Sequence, residues 1–194
     1  RSAVVILSNA ISLEPYRSDM DFLSNKGLAD RIGEHPNLAN SEQHLSFYTY
    51  TVTIDLDKVG IDNEIILSNE EKSKRVNQLL DLIKILNRKI RGRQENLSPL
   101  FIIGGMYEIA NPFFLGRIKF DMNKEKYKIN TSILKSALEL NILQCNVKDN
   151  TNIGVVSGIF ENENEFSELI GKEAMSIEEF FKELKNKFNN YYGV

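Results

Sequence analysis

Cysteine occurs once and histidine twice in the 194 residues. A lone Cys145 cannot close a disulfide within the chain, and without a CxxC pair it offers no thiolate cage for zinc. No apolar run approaches 18 residues, and the first strand-like segment, residues 2–13, carries Ser8, Asn9 and Ser12. Neither a membrane span nor a signal peptide fits that pattern, so a cytoplasmic location is the default expectation. HExxH, GxxxxGK[ST] and GxGxxG are missing as well, which removes the zinc-protease helix, the phosphate-cradling loop and the dinucleotide turn. The chain also lacks an initiator Met, and an apolar strand begins at its second residue. Residue 1 is therefore expected to be an internal point of a longer chain.

What is present is ordinary for a globular protein, with 42% hydrophobic and 26% charged residues. That suffices for one substantial core, and one domain with insertions is expected over residues 1–194. A net charge of -3 argues mildly against a nucleic-acid binder, because phosphate neutralisation needs Lys and Arg. The charge is segregated along the chain, however. Lys72, Lys74, Arg75, Lys84, Arg88, Lys89, Arg91 and Arg93 face one acid, Asp81, over residues 72–93, whereas residues 161–179 hold seven Glu against Lys172. Both runs also read as plain solvated faces.

Periodicity supplies the elements. FYTYTVTIDLD, residues 47–57, predicts a strand with Tyr48, Tyr50, Val52, Ile54 and Leu56 on a packed side and Thr49, Thr51, Thr53, Asp55 and Asp57 opposite. Residues 14–44, rich in Ser, Asn, Asp and Gly, predict a long functional loop between strands. Ser68 and Glu71 predict a capping box opening a helix with Val76, Leu79, Leu80, Ile83 and Leu86 on one stripe and Gly92 just past its end. LFIIGGMYEIA after Pro99 reads as a strand interrupted at Gly104 and Gly105. FFLGRIKF, residues 113–120, reads as its hairpin partner. A short helix is expected over 131–140 with Thr131 as N-cap, and a strand over 152–160. Ser176 and Glu179 predict a second capping box, before an aromatic stripe of Ile177, Phe180, Phe181, Leu184 and Phe188 that belongs to a core.

Strand, long loop, strand, helix, strand is the rear of a βαββαβ order. The expected fold is α+β, a ferredoxin-like or RNA-recognition-motif antiparallel sheet with a hairpin-tip insertion and extra C-terminal helices. The succession SNAISLEPYRSDMDFLSNKG, NSEQHLSFYTYTVTIDLDKVG, SNEEKSKRVNQLLDLI and RGRQENLSP resembles the DevR group of CRISPR-associated RAMP proteins, the backbone subunit of type I-B Cascade complexes. The likeness runs from about residue 2 to residue 120 and rests on order and spacing rather than on a catalytic motif. Family members carry an additional N-terminal third with the first strand and helix. The resemblance thus implies a single, N-terminally incomplete RAMP-type domain, with a thumb-like insertion at 14–44 and a C-terminal hairpin and helical extension at 121–194.

The resemblance implies a non-catalytic subunit that oligomerises along a guide RNA (crRNA) and grips its backbone whatever the sequence. Its partners would be crRNA and, through it, target DNA, other copies of itself and other Cascade subunits, with no membrane, cofactor or metal. A guide is held by its phosphates so that its base edges stay free to read a target. Tyr16, Arg17, Lys26 and Arg31 of the long loop are candidates for that grip. So are Arg91, Arg93, Gln94 and Asn96 in the glycine-containing turn, and Gly104 with Gly105, which permit close backbone approach to a phosphate. Arg117 and Lys119, alternating on one strand face, complete the set. The plain readings are loop solubilisers, helix-capping cations and cross-strand ion pairs. Two other functions stay open: a metal-independent endoribonuclease of CRISPR repeat RNA with His44 as base, and a subunit docking through its acidic C-terminal region without touching RNA.

Overall fold

The computed structural model describes residues 3–17, 19–90, 92–121, 127–143 and 145–194. The elements run β1 (Val5–Leu7), β2 (Ile11–Ser12), β3 (Asp19–Ser24), α1 (Lys26–Ile32), β4 (Leu38–Gln43), β5 (Tyr48–Thr49) and β6 (Val52–Ile54). A 3₁₀ turn at Leu56–Lys58 leads to β7 (Ile61–Asp62), β8 (Ile65–Ile66), α2 (Asn69–Lys84), β9 (Asn87–Ile90), β10 (Arg93–Asn96) and β11 (Phe101–Gly105). After these come α3 (Thr131–Leu138), β12 (Asn141–Ile142), β13 (Cys145–Asn146), α4 (Val147–Asn150), β14 (Thr151–Val155), α5 (Glu163–Ile170), β15 (Met175–Ser176) and α6 (Ile177–Tyr192). The class is α+β. Two compact units emerge, one of Ala10–Thr49 and one of Arg1–Asn9 with Tyr50–Val194.

The larger unit is organised by the ladder β11–β14–β15, in which β11 and β14 are antiparallel and β15 runs parallel to β14. Side chains alternate across β11, as a pleat requires. Phe101 and Ile103 enter one core with Ile153, Phe160, Phe166, Leu134 and Leu138, while Ile102 enters another with Val76, Leu80, Phe180, Phe181 and Phe188. The expected aromatic stripe of α6 is thus core, packed against the stripe of α2. The Ser176–Glu179 capping box forms in full, each side chain bonding the other residue's backbone. At Ser68 only half of its box forms. The hydroxyl accepts the Glu71 N–H at 3.3 Å, while the Glu71 carboxylate turns to Arg75 at 2.9 Å.

Several expectations are corrected. The α2 helix stops at Lys84 rather than near Gly92, and Asn87–Asn96 fold into the antiparallel pair β9–β10. Residues 113–117 form a turn instead of a strand, and among the described residues of this segment the sheet pairing is the bridge Phe120–Ile129. The N-cap of α3 is Asn130, whose Oδ1 accepts the Ile133 N–H at 3.2 Å, not Thr131. FYTYTVTIDLD breaks between β5 and β6, with Tyr48 exposed and Thr49 buried, against the expected facing. Val52 and Ile54 pair with β1 instead, and Ile54 and Leu56 do reach the α2–α6 core. Among the described residues, β1–β6 and β11–β14–β15 are separate ladders rather than one four-stranded sheet.

The charge segregation partly closes on itself in space. Lys84 of α2 contacts Glu178 of α6 at 2.8 Å, and Lys185 of α6 contacts Asp81 of α2 at 2.6 Å. The Lys185 hydrogen bond holds the Asp81 carboxyl below its ordinary range, and the Glu178 carboxylate raises Lys84. Between the same helices, Ser73 Oγ donates to Asn189 Oδ1 at 2.6 Å, and Asn77 Nδ2 donates to that oxygen at 2.8 Å. A shared acceptor of this kind fixes the helix register as well as adding stability.

One buried phenol gives a pH prediction. Tyr107 donates to Thr151 Oγ1 across 2.8 Å, and Thr151 passes its own proton to the Val147 carbonyl at 2.7 Å. Burial pushes the Tyr107 hydroxyl up to about 12. Its folded value thus lies above the ordinary value of about 10, so the unfolded chain releases this proton first. Stability from this group is complete below pH 10 and falls as pH rises toward 12, by on the order of 2 kcal/mol. Urea midpoints at pH 9 and pH 11.5 should therefore drop further in the wild type than in Tyr107→Phe. Equal drops would mean that Tyr107 ionises freely in the fold.

Candidate nucleic-acid interface

The segment expected to be a long loop is structured. In the smaller unit, β3 and β4 pair antiparallel from Asp19–Gln43 to Ser24–Leu38, and α1 lies between them in sequence with Gly33, in the left-handed region, closing its end. Ala29 of α1 and Ser41 of β4 are buried, while Met20, Phe22 and Leu38 are exposed. Lys26 and Arg31 are both exposed on α1, at its first turn and its last, five residues apart and so on different faces.

Tyr16 and Arg17 precede β3 and meet His44, which follows β4. His44 Nδ1 lies 2.6 Å from the Arg17 carbonyl, so Nδ1 carries the proton and donates it. Nε2 lies 3.4 Å from Ser12 Oγ, which is itself 2.7 Å from Ser46 Oγ. The Tyr16 ring sits 5.2 Å from the imidazole at a 43° tilt, and Tyr48 stands edge-on to it at 6.1 Å and 84°. Neither Tyr48 nor His44 belonged to the expected binding set. The strand alternation around Tyr48 hid it, because alternation predicts two faces without saying which one is wet.

Arg93, Gln94 and Asn96 lie on β10, exposed. Arg91 lies outside the described residues. Register sets Asn87 opposite Asn96 and Lys89 opposite Gln94, and these four share one face of the hairpin; Arg88 opposite Glu95 and Ile90 opposite Arg93 share the other. Arg88 and Glu95 approach to 3.9 Å, and Gln94 Nε2 donates weakly to Asn87 Oδ1 at 3.4 Å. Beside this face opens a groove of about 480 Å³ lined by Ile85, Asn87, Gln94, Glu95, Asn96 and Ser98. Amides both donate and accept, so such a lining suits sugar hydroxyls and base edges, while the neighbouring cations suit phosphates. The sequence signal for this hairpin is the two-residue gap ending in Gly92, whose φ is +78°.

The glycine pair behaves differently from the expected phosphate approach. The register of β11 is continuous through both residues, without a bulge. A Cβ at Gly105 would stand 1.8 Å from the Asn150 carbonyl oxygen, so the close backbone there is the chain's own; a Cβ at Gly104 would meet nothing within 4 Å. Arg117 and Lys119, expected on one strand face, instead lie in and after the 113–117 turn. Arg117 is half-buried and its guanidinium donates to Ser136 Oγ at 3.2 Å, whereas Lys119 is exposed and its carbonyl accepts the Asn130 N–H. The expected residues that are described therefore fall in four stretches: the smaller unit, β10, β11 and residues 117–119. Among the described residues no group of three or more His, Cys, Asp or Glu is placed to hold a metal ion, and no helix is long and apolar enough to cross a membrane.

Comparison with curated proteins finds no match, nor does comparison with solved structures. A protein-family model does match: CRISPR-associated negative auto-regulator DevR/Csa2, over residues 1–129. The matched stretch contains the smaller unit, the β9–β10 hairpin, both glycines and the turn with Arg117 and Lys119. With 129 of 194 residues inside that match, the chain belongs to the DevR/Csa2 family of CRISPR-associated proteins.

Proposed function

We propose that this protein is a non-catalytic backbone subunit of a Cascade-type complex in the cytoplasm. It grips crRNA without regard to sequence and repeats along it beside further copies of itself. Target DNA is engaged only through the guide. The observation that carries the reading is the β9–β10 hairpin, inside the family match, where exposed Lys89 shares the amide-bearing face with Asn87, Gln94 and Asn96 beside a groove, and Arg88 and Arg93 are exposed on the other face. Phosphate-directed cations beside neutral donors and acceptors are what a sequence-independent grip on single-stranded RNA requires. In this reading the smaller unit is the thumb-like element.

The test is RNA binding by two unrelated guide sequences across a salt series. Lys89→Ala with Arg93→Ala should weaken both sequences alike, by roughly tenfold, and make the salt slope shallower by about 1.4, as two lost phosphate contacts predict for a single strand. A loss confined to one sequence, or no RNA binding at low salt, removes the proposal. Recovering the RNA intact after incubation supports the non-catalytic assignment; cleavage that His44→Ala abolishes would replace it with a nuclease.

A further inference from the structure

We infer that Tyr16, His44 and Tyr48 form a stacking platform for an unpaired nucleobase, which adds to the guide-RNA reading a base contact in the smaller unit and rests on that reading. Tyr16 is 65% exposed and Tyr48 48% exposed, so both rings offer surface to solvent while leaning on the same imidazole. Rings this wet are not core. They are nevertheless held in place, because the imidazole between them is tied from two sides. Nδ1 donates to the Arg17 carbonyl at 2.6 Å and Nε2 faces Ser12 Oγ at 3.4 Å.

The ties run to different segments. Ser12 belongs to β2, which pairs with Tyr48 itself in β5, and Arg17 follows Tyr16 directly. Tyr48 is therefore set by the β2–β5 pairing, and His44 is tied to the backbone of Arg17, the residue after Tyr16, which lowers the ordering cost that opposes ligand capture. The Glu14 carboxylate is engaged by the Phe47 N–H at 3.1 Å, and the cation next in sequence to Tyr16 is Arg17, which is exposed. Every base has a π-face, so the platform takes any of the four and leaves the sequence-independent character intact.

The experiment compares a single-stranded RNA with an oligonucleotide of the same length whose sugars are abasic, using wild type, Tyr16→Ala with Tyr48→Ala, and Tyr16→Phe with Tyr48→Phe. Wild type should bind the base-bearing strand about tenfold more tightly than the abasic one. The alanine pair should lose that preference while keeping its affinity for the abasic strand, and the phenylalanine pair should retain it, which separates stacking from hydroxyl chemistry and from misfolding. A wild type without preference, or an alanine pair that keeps it, overturns the platform and leaves the backbone-grip reading standing. A wild type that binds neither strand overturns both.

Discussion

Gly105→Ala is expected to destabilise the larger unit by ~3 kcal/mol or more, whereas Gly104→Ala, one residue earlier, should be neutral or stabilise by ~0.5 kcal/mol. The contrast follows from what each new methyl would meet. At Gly105 it would stand 1.8 Å from the Asn150 carbonyl oxygen and 2.9 Å from the carbonyl carbon. Those atoms are backbone, at the junction of α4 and β14, and cannot rotate away as a side chain would. Relief requires β11 to separate from β14, where Gly105 pairs with Thr151, and Thr151 is also the acceptor for Tyr107. At Gly104 nothing lies within 4 Å, and its backbone is not in the left-handed region. The methyl there only restricts the unfolded chain. Urea unfolding followed by circular dichroism reads both variants, and equal midpoints would mean that β11 and β14 are not in close register at that end.

Phe166→Ala should cost about 4 kcal/mol, within the range for an aromatic core truncation, and lower the melting temperature by roughly 10 °C. Phe166 is 0% exposed and sits at the hub of a ring cluster, 5.2 Å from Phe101 and 6.4 Å from Phe160, both inclined edge to face. Its neighbours come from β11, from the segment before α5 and from α3, so no single element can collapse to fill the gap. Phe22→Ala provides the opposite case. That ring is 77% exposed on β3, and its loss should change stability by no more than ~0.5 kcal/mol. A Phe166→Ala protein as stable as wild type would mean that this core is not packed as described.

Local signals proved the most legible. The α2 and α6 stripes, with the caps at Ser68 and Ser176, were readable because helix periodicity and capping involve residues three or four apart. Signals that depend on a distant partner were not. Tyr48 and Thr49 exchange their expected sides because β5 pairs with β2, and only that pairing decides which face is covered. The stretch after Lys84 carries Leu86 in helical register with Ile83, which hid the tighter local preference of a glycine-ended two-residue turn. Gln94 and Asn96 were identified as polar site residues of a loop. Their strand partners Lys89 and Asn87, which complete the face, became visible only with the register. Strand alternation makes Arg117 a groove cation, but its bond to Ser136 ties it to α3.

The smaller unit is inserted between Asn9 and Tyr50, and the residues just outside that insertion, Ser8 and Thr51, are joined by a 3.0 Å backbone hydrogen bond. Departure and return therefore occur at adjoining points, and for the larger unit the whole insertion is thermodynamically a closed loop. Doubling the length of such a loop costs only about 0.6 kcal/mol. Changes in the length of these forty residues should therefore cost the larger unit little stability.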